Sequence, residues 1–250
     1  MTTFPALLDD LLRRAPGRPL VTWYDEATGE RTELSVATYA NWVAKTASLL
    51  VEEHDLERGS LLRVDLPAHW LGPVFLGAAW LSGMSVVLDD RLEREVPGAA
   101  PHAVVCGPAG VERWAGRAPQ VPVLACSLLP LGVRFADPLP AGVHDVGVEV
   151  WSQPDSFVPW DPPAEGDVAV LGPDGGVTQG ELWSTAAAGS LLTDGGRLLS
   201  EANPASPPGV ASLVEPLAKG GSLVLVSGAG PDRLETIEIA ERCTARFPRA

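Results

Sequence analysis

Residues 59–88, GSLLRVDLPAHWLGPVFLGAAWLSGMSVVL, and residues 196–225, GRLLSEANPASPPGVASLVEPLAKGGSLVL, decide the fold. Aligned without a gap at an offset of 137, they agree at 11 of 30 positions, including Gly59/Gly196, Pro67/Pro204, Gly72/Gly209, Leu76/Leu213, Gly83/Gly220 and Ser85/Ser222. Each reads as apolar strand, proline-marked turn, apolar helix, glycine stop and second apolar strand. Such βαβ units have strands apolar throughout because helices cover both faces of a parallel sheet. The shared glycines and prolines punctuate the backbone, so what repeats is a chain plan more than a surface. Duplication of one unit explains this. So does the likeness of any two βαβ units in a chain rich in Ala, Gly and Pro.

Outward from these units the alternation continues. Residues 3–15 form a helix with Phe4, Leu7, Leu8, Leu11 and Leu12 on one face, ended by Pro16-Gly17. Strands 20–24 and 31–34 make a hairpin around Ala27-Thr28-Gly29, and a long helix follows from Val36 with Tyr39, Trp42, Val43, Thr46, Leu49 and Leu50 at three- and four-residue steps. Strands 102–106 and 121–125 bracket a short helix at 111–115. Residues 66–88 carry no formal charge and are long enough to span a bilayer, but Pro67, His69, Gly72, Pro73, Gly77 and Gly83 interrupt them, which fits turn, buried helix and strand. Residues 135–167 hold seven acidic residues, six prolines and no Lys or Arg, the composition of a surface crossing. Beyond it come strand 168–171, helix 179–192, strand 197–200, helix 208–218, strand 222–226 and helix 232–243. The expectation is an α/β protein of two similar βαβ-type lobes, residues 1–134 and 168–250, with mostly parallel sheets covered by helices.

The chain has 250 residues, 46% of them apolar and 20% charged, enough to bury a real core. Its net charge of −14 repels nucleic acid and anionic membrane surfaces. Sixteen of the 18 cations are Arg, with only Lys45 and Lys219 beside them, as in proteins of high-GC bacteria, actinobacteria among them. Cys106, Cys126 and Cys243 stand far apart and read as small apolar residues. Asp9 and Asp10 fall where a signal peptide needs an apolar run, so a cytoplasmic location is expected.

Residues 34–39, LSVATY, the helix after them, 56–68, LERGSLLRVDLPA, and 83–92, GMSVVLDDRL, resemble the N-terminal region of adenylate-forming enzymes, the AMP-binding superfamily of acyl-CoA synthetases, luciferase and peptide-synthetase adenylation domains. Residues 203–226 are similar to its helix-then-strand segment after the phosphate loop. The resemblance implies that the phosphate loop falls at Gly172, Asp174, Gly175, Gly176 and Thr178. In the family this loop is rich in hydroxyls and carries a Lys, because N–H groups, hydroxyls and an ammonium together offset phosphate charge. Residues 171–180, LGPDGGVTQG, have one hydroxyl, no cation, and Asp174 where phosphate oxygens would approach. They read as a glycine-made turn from strand to helix. The aromatic-His step that the family places before its second buried helix is missing from residues 204–209, PASPPG, and the sequence ends at Ala250, before the family's acidic nucleotide and magnesium ligands and its lid with the catalytic Lys.

The chain therefore reads as a degenerate, non-catalytic relative that has no cofactor and binds a small molecule or a protein partner. Two alternatives stay open: a component of an adenylate-forming ligase completed by another subunit, and a structural protein with a vestigial cleft. Other constellations read as structure. The pair Asp89-Asp90 could hold a metal, yet Arg91 and Arg94 beside it suggest solvated ion pairs. His54, His69, His102 and His144 make no metal pair by spacing. Trp151 and Trp160, in the acidic crossing, pack the lobes together or form an exposed partner patch.

Overall fold

The computed structural model describes residues 2–89, 91–173 and 175–248. The chain runs α1 (Phe4–Arg14), β1 (Pro19–Asp25), β2 (Glu30–Ser35), α2 (Val36–Ser48), β3 (Leu61–Asp65), α3 (Leu71–Leu81), β4 (Ser85–Val87), α4 (Leu92–Glu95), β5 (Ala103–Cys106), α5 (Val111–Ala115), β6 (Val123–Ala125), β7 (Val143–Asp145) and α6 (Val146–Glu149). It continues through β8 (Val168–Gly172), β9 (Gly175–Thr178), α7 (Gln179–Ala188), β10 (Arg197–Ser200), α8 (Ala211–Ala218), β11 (Ser222–Ser227), α9 (Pro231–Ala240) and β12 (Ala245–Arg246). Seven strands form one sheet in the order β7-β6-β5-β3-β4-β8-β9 and five form another, β12-β10-β11-β1-β2. Each is parallel except for one edge strand, β9 and β2. Two mostly parallel sheets covered by helices are what the apolar runs imply.

The expected boundary at 135–167 does not separate the sheets. The hairpin β1–β2 joins the strands that follow residue 196, Val21 to Asp25 pairing with Leu223 to Ser227, while β8 and β9 complete the sheet of β3–β7. The reason is physical: a two-stranded hairpin is marginal alone, and β1 buries Leu20, Val21, Thr22 and Trp23, so it needs a sheet to join. The crossing also contains β7 and α6. No strand at 143–145 or 245–246 was expected. Helix α7 stops at Ala188, short of 192, and α3 starts at Leu71, after a turn in which His69 Nδ1 accepts the Leu71 N–H.

One apolar core joins the layers. Phe4, Trp80 and Trp183 meet with ring centroids 5.9, 5.8 and 5.4 Å apart. Gln179 is buried beside them: its Oε1 accepts the Phe4 N–H and its Nε2 donates to the Trp80 carbonyl, both at 2.8 Å. It thus satisfies a donor at the start of α1 and an acceptor near the end of α3. Gly77 lets α2 approach α3, since a Cβ there would lie 2.4 Å from the Tyr39 hydroxyl.

The repeat is real in backbone. Gly83 and Gly220, at φ +72° and +59°, end α3 and α8 in the same Schellman turn, with Met84 N–H donating to Ala79 O and Gly221 N–H to Pro216 O. Leu61 pairs with Ser85 in one unit and Arg197 with Ser222 in the other. The first strands therefore correspond at an offset of 136. The partner of Gly59 (φ +84°) is Gly195 (φ +72°) and not Gly196, a one-residue slip that a gapless alignment hides. Residues 66–88, tested above as a span, form turn, α3 and β4; among the described residues no helix is long and apolar enough to cross a membrane.

Candidate functional site

Gly172, Gly175, Gly176 and Thr178 lie on a β-hairpin rather than on a turn leading directly into a helix; Asp174 lies outside the described residues. Leu171 faces Gly176 and Gly172 faces Gly175 across the antiparallel pair β8–β9. Gly175 has φ +114°, and a Cβ on Gly176 would lie 2.3 Å from Val168 Cγ1. The hydroxyl of Thr178 is engaged in a capping box: it accepts the Glu181 N–H, while the Glu181 carboxylate accepts the Thr178 N–H at 3.0 Å. These bonds hold the Glu181 carboxyl below its usual range. Gly172 is thus paired with Gly175 in the ladder, the Thr178 hydroxyl serves the cap, and the described residues of this segment include no Lys or Arg.

A better-formed site sits where open α/β sheets hold ligands, outside the carboxyl ends of strands at the point where the winding reverses. From β3 the chain goes to β4 on one side and then crosses to β5 on the other. At the ends of β3 and β5 lies a crevice of about 390 Å³ lined by Asp65, Leu66, Pro67, Gly107, Gly110, Arg113 and Leu128, among others. Asp65 Oδ2 accepts the Trp114 indole N–H at 2.7 Å and lies 3.6 Å from Arg113 Nη1; Oδ1 lies 3.4 Å from Arg63 Nη2. Leu128, in the left-handed region at φ +59°, leans over Gly107, where a Cβ would come within 3.1 Å of it. One wall is charged and the other apolar. Cys106 lies just behind, but burial pushes its thiol up to about 12, so it is no activated nucleophile. Sequence reasoning missed this site because Asp65 and Arg113 are 48 positions apart and meet only once strand order is known.

Asp89 chelates the Arg91 guanidinium, 2.7 Å from Nη2, and those bonds bring its carboxyl down to about 2; Asp90 lies outside the described residues. Cys126 is buried and Cys243 half-buried, their thiols raised by burial. Trp151 packs on Trp42 at 5.4 Å, whereas Trp160 is 94% exposed and packs nothing of the kind. The histidines, which by spacing make no metal pair, include two that the fold brings into contact: His54 and His144 meet, with ring centroids 4.5 Å apart. Their separation of 90 residues hid this.

The two sheets and their order define the fold of the N-terminal portion of acyl-CoA synthetases. The chain superposes on the Brucella canis acyl-CoA synthetase with TM-score 0.81 at 15% identity, over 98% of its own length and 47% of that protein. It superposes on the N-terminal domain of FACL13 from Mycobacterium tuberculosis with TM-score 0.72 at 15% identity, over 97% and 62%, and on the ATP-bound RpMatB-BxBclM chimera B3 with TM-score 0.71 at 17% identity, over 96% and 48%. The chain thus spans about half the length of the two longer of these structures, and at such identity the likeness is one of fold. No family model matches the sequence. A TIGR03089 family protein of Mycobacterium tuberculosis (strain ATCC 25618 / H37Rv) is 38% identical over 240 residues, covering 96% of this chain and 95% of that protein. The chain belongs to this family.

Proposed function

We propose that the chain is a non-catalytic relative of the N-terminal domain of acyl-CoA synthetase-like enzymes, cytoplasmic, that binds a small molecule in the crevice at the ends of β3 and β5. The observation that carries this reading is the contrast between two places: Asp65 set with Trp114 and Arg113 beside apolar residues, and a hairpin in which Gly172 pairs with Gly175 and no Lys or Arg stands among the described residues. Gly172, Asp174, Gly175, Gly176 and Thr178 then mark the ancestral phosphate loop without its activity. A ligand with a polar head for Asp65 and Arg113 and an apolar body for Leu66, Pro67 and Leu128 fits the walls.

Tryptophan fluorescence titrated with ATP, AMP, CoA and acyl carboxylates tests it, since Trp114 reports on Asp65. A response to a ligand without a triphosphate, lost in Asp65→Asn and Arg113→Ala while the melting temperature holds, is the expected result. Acid-stimulated pyrophosphate exchange by the chain alone, or micromolar ATP binding by the unmodified chain, overturns it. A second reading, a ligase component completed by another subunit, draws support from the half-length superposition on complete synthetases and predicts exchange only when a partner is added.

A further inference from the structure

We infer that His54, His144 and Glu149 form a binding site for one divalent transition-metal ion of the zinc class. His54 closes the π-helical turn Leu49–Glu53 that follows α2, His144 lies in β7, and Glu149 ends α6. One ligating atom from each of the three lies within 4.8 Å of the others. Glu149 Oε2 is 3.1 Å from His54 Nε2 and Oε1 is 2.9 Å from His144 Nδ1. Zinc–nitrogen and zinc–oxygen bonds of about 2.0–2.1 Å set ligand atoms roughly 3.3 Å apart in a tetrahedron, and Glu149 holds one oxygen near that distance from each imidazole, so ligation through a single oxygen asks for a small turn of the carboxylate. The two imidazoles must close on each other, and His144 and Glu149, 39% and 30% exposed in their side chains, have room to turn.

Two imidazoles and one carboxylate are the borderline nitrogen–oxygen donor set that suits zinc, cobalt and nickel rather than magnesium or calcium. On binding, each neutral ring carries its proton on the nitrogen away from the metal, and the carboxylate supplies a negative charge. The buried member, His54 at 5% exposure, fixes one ligand, while the exposed side of His144 and Glu149 leaves a fourth position to water. Turns of π geometry are rare and concentrate at functional sites, because the extra residue re-aims the side chains that follow. The ion would tie the end of α2 to the acidic crossing, residues 90 and 95 positions away in the chain.

Untagged protein, stripped with chelator and titrated with zinc chloride in a calorimeter, is expected to take up one equivalent. A hundredfold excess over Kd should raise the melting temperature by about 5 °C. His144→Ala and Glu149→Gln, both at half-exposed positions, are expected to weaken binding at least about tenfold while keeping the metal-free melting temperature. Cobalt(II) added to the unmodified chain gives a check that needs no variant: the visible bands of a four- or five-coordinate nitrogen-ligated ion support the site, and the pale spectrum of the hydrated ion overturns it. Absence of saturable zinc uptake, or uptake that both variants leave intact, overturns it equally.

Discussion

At the scale of single residues, His69 shows how burial sets a charge state. It is 2% exposed, 4.2 Å from the Trp23 ring in edge contact and close to Trp70; its Nδ1 accepts the Leu71 N–H, so its proton sits on Nε2, which has no partner. Burial lowers its pKa to about 4, with Asp25 opposing weakly. The unfolded chain, titrating near 6.5, binds a proton there before the folded one does. Stability from this group is therefore complete above pH 6.5 and is lost as pH falls toward 4, at up to about 1.4 kcal/mol per unit. His54, lowered by burial, acts in the same direction, whereas the depressed carboxylates of Asp89, Asp167 and Glu241 act at lower pH. The melting temperature should fall between pH 7 and 5, and less steeply in His69→Asn, whose Oδ1 replaces the Nδ1 acceptor. An equal slope in that variant would show that His69 does not carry the effect.

Elements show where the sequence was legible and where it was not. Apolar periodicity located α1, α2, β3, α3, β4 and β11, because those segments bury a continuous stripe or run. It missed β9, since Gly175, Gly176, Val177 and Thr178 are exposed or half-exposed and owe their strand geometry to pairing with β8. Two neighbouring glycines there are required for different reasons, and substitution separates them. Gly176→Ala places a Cβ against Val168 and should cost about 1–3 kcal/mol as overpacking. Val168→Ala in the same chain should restore much of it. Gly175→Ala forces an L side chain to φ +114° and should cost a similar ~1–3 kcal/mol as backbone strain, which Val168→Ala leaves untouched. Thermal melts of the two double variants decide; rescue of both, or of neither, contradicts the assigned causes.

For the whole molecule, the repeat was readable and the sheet partnership was not. Local pattern names β1–β2 as a hairpin, but its partner β11 lies some 200 positions away, and only shape and burial choose it. The same distance effect hid Asp65 beside Arg113 and His54 beside His144. The exchange of strands has a consequence for cooperativity. Residues 1–134 alone keep β3–β6 but leave β1 without β11, exposing the edge of a strand whose Val21 and Trp23 are buried in the intact protein. Residues 168–250 alone keep β10–β12 but detach β8 and β9 from β4, and they leave Trp183 without Phe4 and Trp80. Gln179, which bonds to Phe4 and Trp80, loses both partners in residues 168–250, and Phe4 and Trp80 lose Gln179 in residues 1–134. Each fragment thus gives up core contacts and buried hydrogen bonds that a marginally stable domain needs. The intact chain should melt in one transition, followed alike by tryptophan fluorescence and far-UV circular dichroism, and neither fragment should show a cooperative melt by itself. If residues 168–250 unfold cooperatively alone at a temperature near that of the intact chain, the sheets are independent lobes after all, and their exchanged strands contribute little to the fold.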